Sequence, residues 1–145
     1  MRLVAATTEH LDQLARMNRA LIEDEGHGNP MTVPELARRF AEFLGDGWSA
    51  ELFLPEAAVV GYALYRREAN PAEPDGQHVH LRHFFIARDH RRQGFGRRAF
   101  AALRAERFPP GARIVLDVLD GNHAGRAFWR SLGFAPYART LEARA

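Results

Sequence analysis

Between His78 and Val118 the hydrophobic pattern changes period twice, and that switch restricts the fold more than any other feature of the chain. His78 to Ile86 alternates with a period of two, which predicts a strand. Gly94 to Phe108 places Phe95, Ala99, Ala102 and Leu103 on one side of a helix, and Pro109-Pro110-Gly111 stops it. Ala112 to Val118, rich in Ile, Val and Leu, predicts a further strand. A strand-helix-strand unit demands a sheet that is at least partly parallel, with a helix packed across it.

The segments before this unit add antiparallel pairing. Arg2 to Ala6 reads as a first strand, with Thr7 or Thr8 able to cap the helix that follows. Leu11, Leu14, Ala15, Leu21 and Ile22 form one helical face, which ends near Glu25-Gly26. Thr32-Val33-Pro34-Glu35 is a capping box with an early proline; it opens a second helix whose stripe is Leu36, Phe40, Phe43 and Leu44. Trp48 to Leu54 and Ala58 to Arg66 read as a hairpin turned at Pro55-Glu56, and Asn70 to Gly76 as a polar loop. Asn122 to Leu132 predicts a last helix and Phe134 to Leu141 a terminal strand. The expected fold is α/β: a single domain over residues 1–145 with a mixed sheet and helices on both faces.

Composition removes several functions. The chain has no cysteine, so disulfides, a thiol nucleophile and thiolate metal sites are excluded. All 20 basic residues are arginine, and the net charge of +2 is too small to imply nucleic acid as a partner. No apolar run approaches the ~20 residues of a membrane span, and Met1-Arg2-Leu3-Val4 does not resemble a signal peptide. A cytoplasmic location with no membrane partner is expected.

The chemistry concentrates in Arg91-Arg92-Gln93-Gly94-Phe95-Gly96-Arg97, between the predicted strand and helix. Two glycines separated by one residue allow backbone N–H groups to turn toward an anion. The helix start adds unpaired donors and the positive end of its dipole, and the arginines add bidentate charge. A phosphate or pyrophosphate suits this loop. A Walker loop and a dinucleotide fingerprint are excluded, because the Gly-Lys-Ser/Thr ending and the third glycine are missing.

With Phe84-Phe85-Ile86 before it, the stretch from His80 to Phe100 resembles the acetyl-CoA signature of the GNAT N-acetyltransferases, Arg/Gln-x-x-Gly-x-Gly/Ala, at Arg91, Gly94 and Gly96. About thirty residues on, Asn122, Phe128, Gly133 and Phe134 are similar to the family's Asn-(x)5-Phe-Tyr-(x)3-Gly-Phe pattern. The resemblance implies that acetyl-CoA is the cosubstrate and that the fourth and fifth strands splay apart near Ile86. It implies that Gln93 to Arg97 hold the pyrophosphate together with Arg91 and Arg92. Pantetheine would run along the strand at Phe85 and Ile86, and Asn122, Phe128 and Trp129 would line the far side. N–H groups near Ile86 would stabilise charge on the carbonyl oxygen.

In the family a Glu or His six positions before the strand's last residue often serves as base, and here that residue is His80. Strict alternation groups His78, His80, Arg82 and Phe84 on one face and Val79, Leu81, His83 and Phe85 on the other, which makes His83 a buried structural residue. His78 and His80 alone are too few ligands for a metal site, so none is expected. The family's tyrosine acid is replaced by Trp129, a very poor acid, which leaves Tyr137 as a substitute proton donor. Asp24, Glu25 and His27, at the end of the first helix, would border the site of a small-molecule or peptide amine. A partner chain, as in a homodimer, could complete the sheet beyond the short C-terminus. A non-catalytic acyl-CoA-binding domain of the same fold is the alternative reading.

Overall fold

The computed structural model describes residues 1–145 and contains one five-stranded sheet in the order β1 to β5. The strands are β1 (Arg2–Ala5), β2 (Ser49–Leu54), β3 (Gly61–Ala69), β4 (Gln77–Ile86) and β5 (Ile114–Val115). The first three pairings are antiparallel and β4–β5 is parallel. The helices are α1 (Leu11–Asp24), α2 (Val33–Gly45), α3 (Phe95–Glu106) and α4 (His123–Ser131). No helix is long and apolar enough to cross a membrane.

Local chemistry sets these boundaries. Thr32 and Glu35 close the expected capping box on α2, with the Thr32 Oγ1 donating to Glu35 Oε1 over 2.8 Å. Thr7 caps a short 3-10 turn, Thr8–His10, that leads into α1. One sheet face packs Leu14 and Leu21 of α1 and Phe40 of α2 against Leu52, Tyr62, Leu64 and Phe85. The other packs Ala99, Phe100 and Leu103 of α3 against Phe53, Ala63, Val79 and Leu81, with Trp129 of α4 at its margin. On that second face Glu51 is buried and bound by Arg107 at 2.6 Å and by Tyr65 at 3.2 Å, which ties the end of α3 to β2.

Three expectations are corrected. First, β4 does not alternate throughout. Leu64 pairs with His83 and Tyr65 with Leu81, so Arg82 is an extra, bulged residue. The bulge shifts the later residues by one, so Phe84 and Ile86 join Val79 and Leu81 on the α3 face. His83 and Phe85 turn toward α1 and α2, on the side of Trp48 and His80. Second, the fifth strand shrinks from Ala112–Val118 to Ile114–Val115, pairing only with Val79 and His80. The strands do splay, but β4 and β5 part after His80, six residues before Ile86, where the splay is expected. Third, no strand forms over Phe134–Leu141. A strand needs a neighbour for its N–H and C=O groups. Here a wide groove separates this segment from the β5 region, and Leu141 is 88% exposed.

Gly61 fixes the approach of β3 to the end of β4. It lies opposite Ile86, and a Cβ there would stand 1.9 Å from the Phe85 carbonyl oxygen. Gly61→Ala is therefore expected to destabilise the protein by about 3 kcal/mol, through overpacking that only a backbone shift relieves. Urea unfolding checks this; an unchanged midpoint would mean that the strands do not meet so closely.

Candidate active site

β4 ends at Ile86 and the chain enters a 3-10 turn, Arg88–His90, before the loop that precedes α3. In that loop Arg92 (φ 62°) and Gly94 (φ 78°) both occupy the left-handed region. Such left-handed steps let successive N–H groups converge on one side. The N–H groups of Arg92, Gln93 and Gly94 donate to no acceptor, and no side chain caps the first turn of α3. The loop is a ready cradle for a pyrophosphate.

Asp24 holds the loop in place. Its carboxylate accepts from Arg88 over 2.7 Å and also pairs with Arg91, whose Nε donates to the Ile86 carbonyl over 2.8 Å. Burial pushes the Asp24 carboxyl up, but the two guanidinium groups outweigh it and leave it below the usual carboxylate range. An acidic residue at a helix C-terminus opposes the dipole, and these two cations offset that cost.

The two sequence motifs meet in space. A Cβ on Gly96 would stand 3.2 Å from the Phe128 ring, a tight contact that the absence of a side chain here avoids. Phe128 stacks on Phe84 with centroids 5.8 Å apart, and Arg97 reaches Ser131 over 3.0 Å. Phe95 packs beneath the guanidinium of Arg98, which lies 5.5 Å from its centroid. Asn122 caps α4, its Oδ1 accepting from the Gly125 N–H over 3.0 Å. Trp129 lies among Phe84, Phe100, Phe128 and Phe134, with centroids 4.9–5.5 Å away.

On the helix face of β4 lies a second cluster. His80 Nδ1 stands 3.1 Å from Glu68 Oε2, and His78 Nε2 stands 3.3 Å from Glu68 Oε1. Burial raises the Glu68 carboxyl, but hydrogen bonds from Arg66 and His80 prevail and hold it below its ordinary range. Trp48 packs edge-on to the His80 ring at 5.3 Å. His83 is buried against Phe40 and Phe43, with Nδ1 3.0 Å from the Tyr62 hydroxyl. Its burial, then the cations Arg39 and Arg82, depress its pKa to about 3.

Of these groups His80 and His83 open on a groove of about 1920 Å³ that runs to the β5 region and the C-terminal segment. Asn18, Glu25, His27, Arg39, His80 and Arg82 line one end, and Trp129 and Tyr137 the other. Burial lifts the Glu25 carboxyl above its usual range, with His27 opposing. Phe85, Ile86 and the loop from Arg91 to Arg97 lie outside this groove, past its edge at the C-terminal end of β4. Tyr137 is 82% exposed, with the Arg113 guanidinium 4.4 Å from its ring centroid. The structure thus gathers His80, Glu25 and His27 in one groove, and commits Asp24 to the loop instead. Sequence reading missed Glu68, which the hairpin register places opposite His78.

The sequence profile described as "Acetyltransferase (GNAT) family" matches residues 15–134. The chain belongs to the GNAT acetyltransferase family. The GNAT fold is equally plain in solved structures. A possible acetyltransferase from Clostridium difficile 630 superposes with a TM-score of 0.81 at 17% identity, covering 99% of this chain and 96% of that one. A predicted acetyltransferase from Clostridium acetobutylicum, crystallised with acetyl-CoA, gives 0.76 at 16% identity, covering 99% and 95%. An aminoglycoside N-acetyltransferase in complex with CoA gives 0.75 at 16% identity, covering 99% and 93%. No curated protein matches the sequence significantly.

The buried histidine of this GNAT protein makes its stability pH-dependent. The neutral His83 ring binds no proton in the fold until about pH 3, whereas an unfolded histidine binds one below about 6.5. Between these values the unfolded state holds more protons, so stability is lost as pH falls from 6.5 toward 3. The expected loss from this group is about 1 kcal/mol per pH unit. Urea titrations of wild type and His83→Gln from pH 7 to 4.5 measure it; parallel curves for the two proteins would show that His83 protonates freely in the fold.

Proposed function

We propose that the protein transfers the acetyl group of acetyl-CoA to a primary amine, by direct attack within a ternary complex. The observation that carries this reading is the set of unpaired N–H groups at Arg92, Gln93 and Gly94, in the loop that follows β4, the strand that β5 leaves after His80. GNAT membership and the acetyl-CoA bound to the Clostridium acetobutylicum neighbour support it.

The roles follow from the side chains. Gln93 to Arg97 offer backbone donors to the pyrophosphate, with Arg92 beside them to add charge. Past His80, the edge of β4 is free to bind pantetheine as an added strand. Phe85 and Ile86 form the wall at the strand's end, and Asn122 and Phe128 shape the far side through the cap of α4 and the stack on Phe84. Bound acetyl-CoA supplies the thioester carbonyl that the amine attacks.

His80 is the proposed base. With Nδ1 turned to Glu68, its Nε2 is left to take the proton of the amine, directly or through one water. Glu25 and His27 border the acceptor's entrance. The thiol-free chain cannot form a cysteinyl intermediate, which favours direct transfer. Trp129 donates no useful proton from within its aromatic cluster, so solvent or the exposed Tyr137 phenol protonates departing CoA.

Two measurements test this. Acetyl-CoA is titrated calorimetrically, and released CoA is followed with a thiol reagent across a panel of amines. Amine-dependent release is expected, and His80→Ala should lower kcat about 100-fold or more. Binding without turnover on any amine would favour a non-catalytic acyl-CoA-binding domain, and absence of binding would refute both readings. Gly94→Val, which strains a left-handed position inside the donor loop, is expected to weaken acetyl-CoA binding at least tenfold; an unchanged Kd would remove the loop from the cofactor site.

A further inference from the structure

Six arginines that line the groove have no counter-ion, and two of them share one aromatic ring. Arg39 of α2 and Arg82 of β4 both lie over the ring of Phe43, their guanidinium carbons 5.2 and 5.0 Å from its centroid. Neither is among the ion pairs of the protein, whereas Arg88 and Arg91 share Asp24, Arg107 holds Glu51 and Arg66 holds Glu68. The Arg39 Nε is shielded from solvent without a hydrogen-bond partner, and its Nη1 meets only the Met31 sulfur, at 3.5 Å. Arg82 is the bulged residue of β4, so the strand gives up regular pairing at the position that presents this cation. Burial, and then the Arg82 guanidinium, lower the pKa of Arg39, and both cations disfavour a proton on His83.

Arg39 is half-buried with Nε unpartnered, and Arg82 reaches the same ring from the exposed side, so an anion between the two would supply the partner that Arg39 lacks. The planar forks of two arginines suit a carboxylate, which accepts bidentate hydrogen bonds. His80, the proposed base, precedes Arg82 by two residues on the same face of β4, a spacing of about 7 Å along a strand. A carboxylate held by the arginines therefore sits only a few bonds from an amine delivered to His80. The remaining lining suits the amine end: Glu25 supplies a carboxylate, and the buried Asn18 leaves its Oδ1 without a donor.

We infer that the acceptor is an amino-acid-like molecule, a small amine carrying its own carboxylate, with Arg39 and Arg82 as the carboxylate site. The inference rests on the acetyl-transfer reading given above and names the substrate class of that site.

The test uses α-amino acids paired with their own amides and with their aminophosphonate analogues, following CoA release from the full-length protein. The carboxylates are expected to be used with at least tenfold higher kcat/KM than the amides. Arg82→Gln and Arg39→Gln should each erase most of that preference, mainly by raising KM for the carboxylate. Amides used as well as acids, or a preference that survives both substitutions, would overturn the assignment; a preference for the phosphonates would overturn the carboxylate as the anion. If no amine is turned over, the failure falls on the transfer reading, and the anion site is then read by titrating N-acetylglycine and its amide into the CoA-saturated protein. Tighter binding of the acid in wild type, lost in Arg82→Gln, supports the site; equal binding refutes it. Thermal melting of both variants separates lost recognition from lost folding.

Discussion

The extra residue in β4 sets the geometry on which both halves of the site depend. A strand with unbroken alternation would bury Val79, Leu81, His83 and Phe85 together and leave Phe84 and Ile86 facing α1 and α2. Insertion of Arg82 at the bulge lets the first half of β4 pack Val79 and Leu81 against α3 while the second half packs Phe84 and Ile86 there. The polar residues displaced by this shift collect on the opposite face, where His80, Arg82 and His83 stand in or beside one groove. The same stretch is where β5 leaves β4, so the backbone is freed where side chains with proton-transfer chemistry gather.

Rigid supports surround that opening. Gly61 brings β3 into close register at Ile86, Gly96 admits Phe128, and the carboxylate of Asp24 ties the end of α1 to Arg88 and Arg91. The loop donors are thus positioned by these neighbours as well as by the loop's own bonds. A donor set fixed in this way loses little freedom when an anion arrives. Asp24 also links the loop before α3 to α1, the helix that carries Asn18, so the loop and the neighbouring groove share one structural strut.

Much of this was legible in the chain. The change of period at Gly94, the capping box at Thr32 and the spacing from Asn122 to Phe134 depend on local rules, and the fold followed them. What escaped depends on partners distant in sequence. The bulge at Arg82 arises from the register between β3 and β4, which no single strand encodes. Glu68 reads as an exposed acid until the hairpin places it against His78 and His80. Asp24 looked available for an amine because Arg88 and Arg91, more than sixty residues away, are invisible to local reading. Phe134 to Leu141 has the composition of a strand, but composition does not supply a neighbour for its backbone.

Every cationic side chain fixed at neutral pH around the loop and groove is a guanidinium, Arg39, Arg82, Arg91, Arg92 and Arg97 among them, in a chain without a single lysine. A guanidinium stays protonated at any physiological pH and has no lone pair to offer a thioester, unlike an ammonium that can shed its proton. Walls built this way attract anions without competing for the acyl group. The chain therefore has no side-chain amine with which to consume a bound acyl donor, and in the proposed reaction no lysine competes with the acceptor.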